Sequence, residues 1–295
     1  MTKYVFGVMF VAAMRNDFGL SFKITNWCNL NCAHCCECSN SAEKPKFLPL
    51  EKMEKYLYES RHMPIQFHEL LTIGGGEALA PYMHNTFDYI PTALNMIQKY
   101  NYSPTIKTNG TWGVDGIMRE KILYDLAGAA YKSGKLVTLD MSVDEFHTNL
   151  SGVTNIIYDI LSNMQICMAI RVCLVGFNTQ KSTNVHNLLK RRLMAKGIEI
   201  RTLPNGDWAA FGPDTSCGVL IINSFDTPIY NQGRARENKV YTSIASPNGD
   251  GSVNCLQLDN KDMAIYNYIY HEPVKHRPLS KVFDVLINRA NGKGY

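Results

Sequence analysis

The chain has 295 residues, 45% of them hydrophobic and 19% charged, which is enough for a large packed core and argues against wholesale disorder. The formal net charge is only +4, and the last 25 residues alone carry an excess of +3: Lys275, Arg277, Lys281, Arg289 and Lys293 against Glu272 and Asp284. The rest is close to neutral, which weighs against a broad nucleic-acid surface.

Val5–Met14 is apolar between Lys3 and Arg15. Ten residues are too few to span a bilayer. The flank Arg15-Asn16-Asp17 and the lack of a cleavage signal point to a segment packed on the domain, in a cytoplasmic protein. From residue 20 to residue 205, strand-like and helix-like periodicities alternate. Strands are expected at Leu20–Asn26, Phe67–Ile73, Ser103–Thr108, Lys135–Asp144, Cys167–Leu174 and Ile198–Leu203. Helices are expected at Pro49–His62, Thr86–Tyr100, Gly116–Lys132, Leu150–Met164 and Thr183–Lys196, with Pro49 in a first turn where its missing N–H is no loss. Six strands in β–α alternation predict an α/β fold with a parallel sheet, a partial (β/α)6 TIM-like barrel with a C-terminal extension.

The strand faces add a second clue. Thr138, Asp140, Ser142 and Asp144 share one face, and Val137, Leu139, Met141 and Val143 the other. Ser21, Lys23 and Thr25 oppose Phe22 and Ile24. Parallel sheets usually read apolar on both faces. A polar face here predicts an open barrel whose lumen holds a polar ligand; an antiparallel sheet with a wet face is the alternative. The expected organisation is a segment 1–19, a barrel 20–205 and an extension 206–295. The extension is rich in turn formers such as Pro247-Asn248-Gly249-Asp250-Gly251 and ends in an amphipathic helix at Ser280–Arg289.

Five of nine cysteines, Cys28, Cys32, Cys35, Cys36 and Cys38, fall within eleven residues. Such crowding suits a metal or cluster site better than a disulfide framework. The spacing C-x3-C-x2-C lets three thiolates hold three irons of a cubane and leave the fourth iron open. A ferredoxin would want four cysteines with another spacing. Structural zinc, completed by Cys36, Cys38 or His34, is the competing reading.

Ile24-Thr25-Asn26-Trp27-Cys28-Asn29-Leu30-Asn31-Cys32-Ala33-His34-Cys35 resembles the hallmark of the radical S-adenosylmethionine (SAM) superfamily, with His34 at the aromatic position before the last cysteine. Thr-Asn before the loop and Cys-Asn-Leu within it resemble the peptide-modifying, SPASM-type branch. Three further segments follow the family order. Gly74-Gly75-Gly76-Glu77-Ala78 is similar to Gly-Gly-Glu-Pro, departing at Ala78; Lys107-Thr108-Asn109-Gly110 is similar to Thr-Asn-Gly; Ser142-Val143-Asp144 is similar to Ser-x-Asp. The resemblance implies one [4Fe–4S] cluster on Cys28, Cys32 and Cys35. It also implies SAM contacts from His34, Gly75, Gly76, Glu77, Asn109, Ser142 and Asp144, with the Glu77 carboxylate meeting the SAM ammonium. Relatives carry an arginine a dozen residues after Ser-x-Asp; none stands there, and Arg171 is the substitute. His147 is read as a ligand contact or as a capping or packing residue.

The implied activity is reductive cleavage of SAM to a 5′-deoxyadenosyl radical that abstracts hydrogen from a substrate. A ribosomally made peptide is the first substrate class. A nucleotide or small metabolite is the second, since Lys107, Arg171 and Arg201 would suit phosphate. A non-enzymatic zinc or iron–sulfur redox-sensing module is the third reading. A reducing partner such as flavodoxin or ferredoxin is expected, without nucleic acid or membrane. Gly233-Arg234-Ala235 and the turn-rich run ending at Cys255 resemble a degenerate SPASM-like tail. Only Cys217 and Cys255 follow residue 205, too few for an auxiliary cluster within one chain. No role is assigned to those two, or to Cys36 and Cys38.

Overall fold

The computed structural model describes residues 18–32, 35, 39–42, 44–62, 67–177, 179–203, 207–213, 218–226, 254–259, 265–267 and 273–274. His34, Cys36, Cys38, Cys217, the Val5–Met14 segment and the Ser280–Arg289 helix expectation lie outside them.

The fold is α/β, with the strand order of a partial TIM-like barrel. Strands β1 (Phe18–Thr25), β2 (Phe67–Gly75), β3 (Ser103–Thr108), β4 (Val137–Ser142) and β5 (Ile170–Phe177) pair in chain order, all parallel. Helices α1 (Leu50–Arg61), α2 (Ala80–Met83), α3 (Tyr89–Lys99), α4 (Gly116–Ser133), α5 (Leu150–Ser162), α6 (Met164–Ala169) and α7 (Gln180–Ala195) fill the crossovers. Local chemistry sets their ends. Pro49 is the N-cap of α1 rather than its first helical residue. Asp115 accepts Ile117 N and Met118 N at 3.0 Å, and Thr179 accepts Ser182 N at 3.1 Å. Gly134 closes α4 in the left-handed region, φ 71°.

The expected face division holds. Val137, Leu139, Met141 and Val143 are fully buried, as are Phe22, Ile24, Leu71, Ile73, Ile106, Val172 and Leu174. They meet the helices, which pack in succession, α1 on α3, α3 on α4, α4 on α6 and α5 on α7. Each such side chain contributes roughly 1.5–3 kcal/mol on burial. Thr138, Asp140 and Ser142 occupy the other face, where Lys107 pairs in register with Asp140 and Asp140 with Cys173.

Two expectations are corrected. The chain does not run from the fifth helix into a sixth parallel strand. Residues 199–202 form β6 (Glu199–Thr202), the outer strand of a hairpin with β7 (Trp208–Phe211), and β8 (Gly218–Asp226) pairs parallel to β5 instead. The reason is compositional. Glu-Ile-Arg-Thr is polar enough for a sheet edge, whereas the near-continuous apolar run in Gly218–Asp226 suits a strand covered on both faces. The sheet therefore continues past residue 205.

The fifth strand also starts later than expected. Asn163 ends α5 and caps α6 through Ile166 N, so residues 164–169 are helical and β5 begins at Ile170. Beyond β1 the sheet is extended by β9 (Asn254–Asp259), parallel to β1, then by antiparallel β10 (Ile265–Asn267) and β11 (Pro273–Val274). Cys255 lies in β9, paired with Gly19.

Candidate functional site: the cysteine loop at the C-terminal rim

The loop that follows β1 is closed on itself. Trp27 bridges Asn40, and Cys28 N–H donates to Asn40 O at 3.1 Å. Cys28, Cys32 and Cys35 are partly exposed thiols. Burial, with neighbouring Glu77, Cys35 and Cys32, pushes the Cys28 thiol up to about 12, against the N–H of Leu30 that lowers it. The three sulfurs thus share one neighbourhood. Among the described residues no group of three His, Cys, Asp or Glu side chains is arranged to hold a single metal ion. A cubane places each thiolate on a different iron, which asks for wider spacing than one ion does.

The glycine segment after β2 seats this loop. Gly76 N–H donates to Thr25 O at 2.7 Å and Glu77 N–H to Trp27 O at 2.9 Å. A Cβ on Gly76 would lie 2.0 Å from Trp27 O; one on Gly75, whose φ is 110°, would lie 2.5 Å from Thr25 O. The sequence reading gave these glycines to close approach of a ligand. Here the close approach is that of the protein's own cysteine loop.

Glu77 is 1% exposed. Its Oε1 accepts Leu79 N–H at 2.9 Å and Thr108 Oγ1–H at 2.7 Å, and its Oε2 accepts Asn109 N–H at 2.9 Å. Burial raises its pKa, opposed by these three donors and by nearby His147. The carboxylate expected to meet a SAM ammonium is therefore already committed to fastening the end of β2 to the end of β3.

Asn109 continues the chain of contacts. Its Oδ1 accepts Thr111 N–H at 3.0 Å, and its Nδ2 donates to Asn29 Oδ1 at 2.9 Å and toward Cys28 Sγ at 3.6 Å. Asn29 in turn donates to Thr111 Oγ1 at 2.7 Å. Gly110 turns the backbone at φ 70°, with Val153 of α5 2.8 Å from where a Cβ would sit.

The segment after β4 reaches the loop from the other side. Asp144, 4% exposed, accepts Phe146 N–H at 2.8 Å and His147 N–H at 3.0 Å on Oδ1. His147 Nδ1 lies 2.9 and 3.0 Å from the two carboxylate oxygens, and its Nε2 is 3.6 Å from Cys32 Sγ. Burial disfavours the imidazolium, but Asp144 and Cys32 outweigh it and raise the pKa to about 9. Asp144, read from sequence as a ligand contact, is thus the anchor of His147. Ser142 is partly exposed and pairs with Val175.

Arg171 does not join this group. It is the second residue of β5, exposed and paired with Thr138, six residues short of the strand's end at Phe177. That is about 20 Å of strand. The late start of β5 moved it to the far end. Arg201 is exposed at the sheet edge, bonded to Glu199 at 2.7 Å, and does not gather with Lys107 and Arg171.

Sequence reasoning missed Asn29 and Thr111 as partners of Asn109, and left His147 unassigned. It missed His186 of α7 altogether. His186, 4% exposed, is 2.7 Å through Nε2 from Val143 O and so holds the segment that carries Asp144.

No family model and no curated protein matches the chain. Among solved structures the chain is similar to Streptococcus suis SuiB. With the precursor peptide SuiA bound, the TM-score is 0.48 at 11% identity, over 96% of this chain and 68% of SuiB. With S-adenosylmethionine bound, it is 0.46 at 12% identity, over 96% and 69%. For anSMEcpe with bound AdoMet it is 0.41 at 15% identity, over 72% of this chain and 53% of that one. Likenesses this distant leave the function to the residues of this chain.

Proposed function

We propose that the chain is a radical SAM enzyme that holds one [4Fe–4S] cluster on Cys28, Cys32 and Cys35 and acts on a ribosomally made peptide. The observation that carries this reading is the set of donors around the sulfurs. Leu30 N–H at 3.4 Å and Asn109 Nδ2 at 3.6 Å face Cys28 Sγ, and His147 Nε2 at 3.6 Å faces Cys32 Sγ. Donors on cysteine sulfur favour the thiolate that iron needs. Three thiols on one loop at the C-terminal rim of a parallel sheet, where such folds build their sites, fit a cubane with one open iron.

A reduced cluster held by Cys28, Cys32 and Cys35 would supply one electron to SAM, whose C5′–S bond would break to methionine and a 5′-deoxyadenosyl radical for hydrogen abstraction. The protein binds and orients. Gly76 and Glu77 N–H fix the cysteine loop; Glu77 fastens it to Thr108 and Asn109; Asp144 and His186 fix the loop after β4. Because the Glu77 and Asp144 carboxylates and the Gly76 and Asn109 N–H groups are engaged within the protein, the SAM contacts fall to Ser142 and to the backbone carbonyls of the Gly75–Gly76 and Asn109 turns. The Cys-Asn-Leu loop and the tail resemblance favour a peptide over a nucleotide, and the dispersal of Arg171 and Arg201 removes the phosphate argument. An electron donor such as flavodoxin or ferredoxin and a cytoplasmic setting complete the proposal. No described helix is long and apolar enough to cross a membrane.

Anaerobic reconstitution tests the reading. About four irons and four sulfides per chain are expected, with 5′-deoxyadenosine formed on reduction with SAM. Zinc in place of iron, from an anaerobic and iron-replete preparation, would overturn it.

A further inference from the structure

The contact between the loop after β4 and the cysteine loop joins residues 115 positions apart, and three separate elements fix it. Asp144 Oδ1 takes two backbone N–H groups of its own loop and the His147 ring. From behind, His186 Nε2 is bound to Val143 O, and a Cβ on Gly176 of β5 would lie 2.7 Å from that carbonyl and 2.9 Å from the His186 nitrogen. Glu145, between them, is bound by Ser182 and Thr179 at the start of α7. The His147 side chain is 13% exposed, so water has little room to replace it. With Nδ1 held against a carboxylate, the ring has one orientation, and that orientation aims Nε2 at Cys32 Sγ; with Cys32 an iron-bound thiolate, both ring nitrogens face acceptors, and only the doubly protonated ring satisfies both.

We propose that His147, oriented by Asp144, donates its Nε2–H to the Cys32 sulfur and thereby raises the reduction potential of the cluster on the cysteine loop. The inference rests on the proposed function, since it needs Cys32 as an iron ligand. Reduction adds negative charge to the cluster, and part of that charge resides on the ligand sulfurs. An N–H donor to a ligand sulfur stabilises the more negative state, and hydrogen bonds to sulfur are among the levers that set such potentials. Cys28 receives its donors from Leu30 and Asn109 close at hand. Cys32 receives a side chain from the far side of the rim, so the loop after β4 gains a direct influence on the cluster's electronics. His147 and Asp144 are then positioning residues for the cluster.

The test is a mediated redox titration of the reconstituted full-length chain without SAM, followed by electron paramagnetic resonance. Iron content is measured in parallel. His147→Phe removes the donor and should shift the reduction equilibrium about tenfold toward the oxidised form, ~59 mV for one electron. His147→Gln restores an N–H donor of similar reach and should lie between the two. Asp144→Asn leaves the ring but loosens its anchor, and should also lower the potential. A residue that only packs would change iron content or melting temperature and leave the potential of the loaded fraction alone. Equal potentials for wild type and His147→Phe at equal iron content would overturn the inference while sparing the reading beneath it. Should His147→Phe fail to load, an unshifted Asp144→Asn would overturn it equally. Failure of the wild-type chain to assemble a cubane would overturn both.

Discussion

The Glu77 carboxylate accepts the backbone N–H of Asn109 at 2.9 Å, and Asn109 turns its own side chain toward Cys28. Two segments that sequence assigns separately to a ligand are therefore parts of one buried brace beneath the cysteine loop. Glu77→Gln keeps the shape, but it turns an amide N–H toward one of the donors now bound by carboxylate oxygen. A buried donor left without its acceptor costs about 1–3 kcal/mol. Urea denaturation of the cluster-free chain should show a loss of that size. A loss below about 0.5 kcal/mol, as for an exposed loop residue, would refute the brace.

Gly74-Gly75-Gly76 should respond unevenly to alanine. At Gly74 a Cβ meets only Lys107 Cβ and Cδ, at 3.7 and 3.8 Å, an ordinary contact. At Gly76 it strikes Trp27 O at 2.0 Å, and backbone cannot step aside without moving Cys28. Gly74→Ala should be nearly neutral in thermal melts. Gly76→Ala should cost more than Gly134→Ala, which has open space and only the left-handed strain of about 1–2 kcal/mol. Of these three replacements, Gly76→Ala should be the one that lowers iron uptake. A triplet that answers uniformly would return these glycines to the role of a ligand loop.

What sequence could reveal follows from how far each signal reaches. The alternation in residues 137–144 is a strand signal with one residue per face, so the apolar and polar sets fall on opposite faces as the pattern expects. The cysteine spacing is local and survived as a loop. Strand 199–202 went astray because β–α order says what comes next in the chain, and only the relative apolarity of 218–226 says what comes next in space. Arg171 went astray through a three-residue boundary error. Asn163 stops one helix and caps another, and Cys167 falls in a helix that hydrophobicity alone cannot tell from a buried strand. The partners of Glu77 and Asp144 were not legible. A carboxylate in a motif does not announce whether it faces a ligand or the backbone N–H groups of the next loop.

The His147–Asp144 pair should leave a mark on stability in the cluster-free chain. The folded-state pKa of His147, about 9, lies above its ordinary value of 6.5. A raised pKa means that the folded chain holds the proton more tightly than the unfolded one. Its contribution is then fully present below about pH 6.5 and is lost as pH rises through about 9. Chemical denaturation across that window should show wild type losing stability relative to His147→Gln as pH rises. A difference between the two that does not vary with pH would exclude the charged pair.

Cysteine replacements separate the ligands from the remaining thiols. Cys173 pairs in register with Asp140 on the polar face of the sheet, and burial with that neighbouring carboxylate pushes its thiol up to about 12, the same value as Cys28. The equal values have unequal consequences. Beside Cys28 stand Cys32, Cys35 and donors from Leu30 and Asn109, so iron can displace the proton and hold the thiolate. Beside Cys173 stands the Asp140 carboxylate, which opposes the thiolate. Cys28→Ala, Cys32→Ala and Cys35→Ala should each abolish SAM cleavage and lower iron below about four per chain. Cys173→Ala and Cys167→Ala should keep full iron, and Cys36→Ala and Cys38→Ala should largely keep activity. Because loading must strip a proton from Cys28, cluster assembly should speed up as pH rises toward 9. Iron loss in Cys173→Ala, with the fold intact by circular dichroism, would move the cluster off the loop and onto the polar face of the sheet.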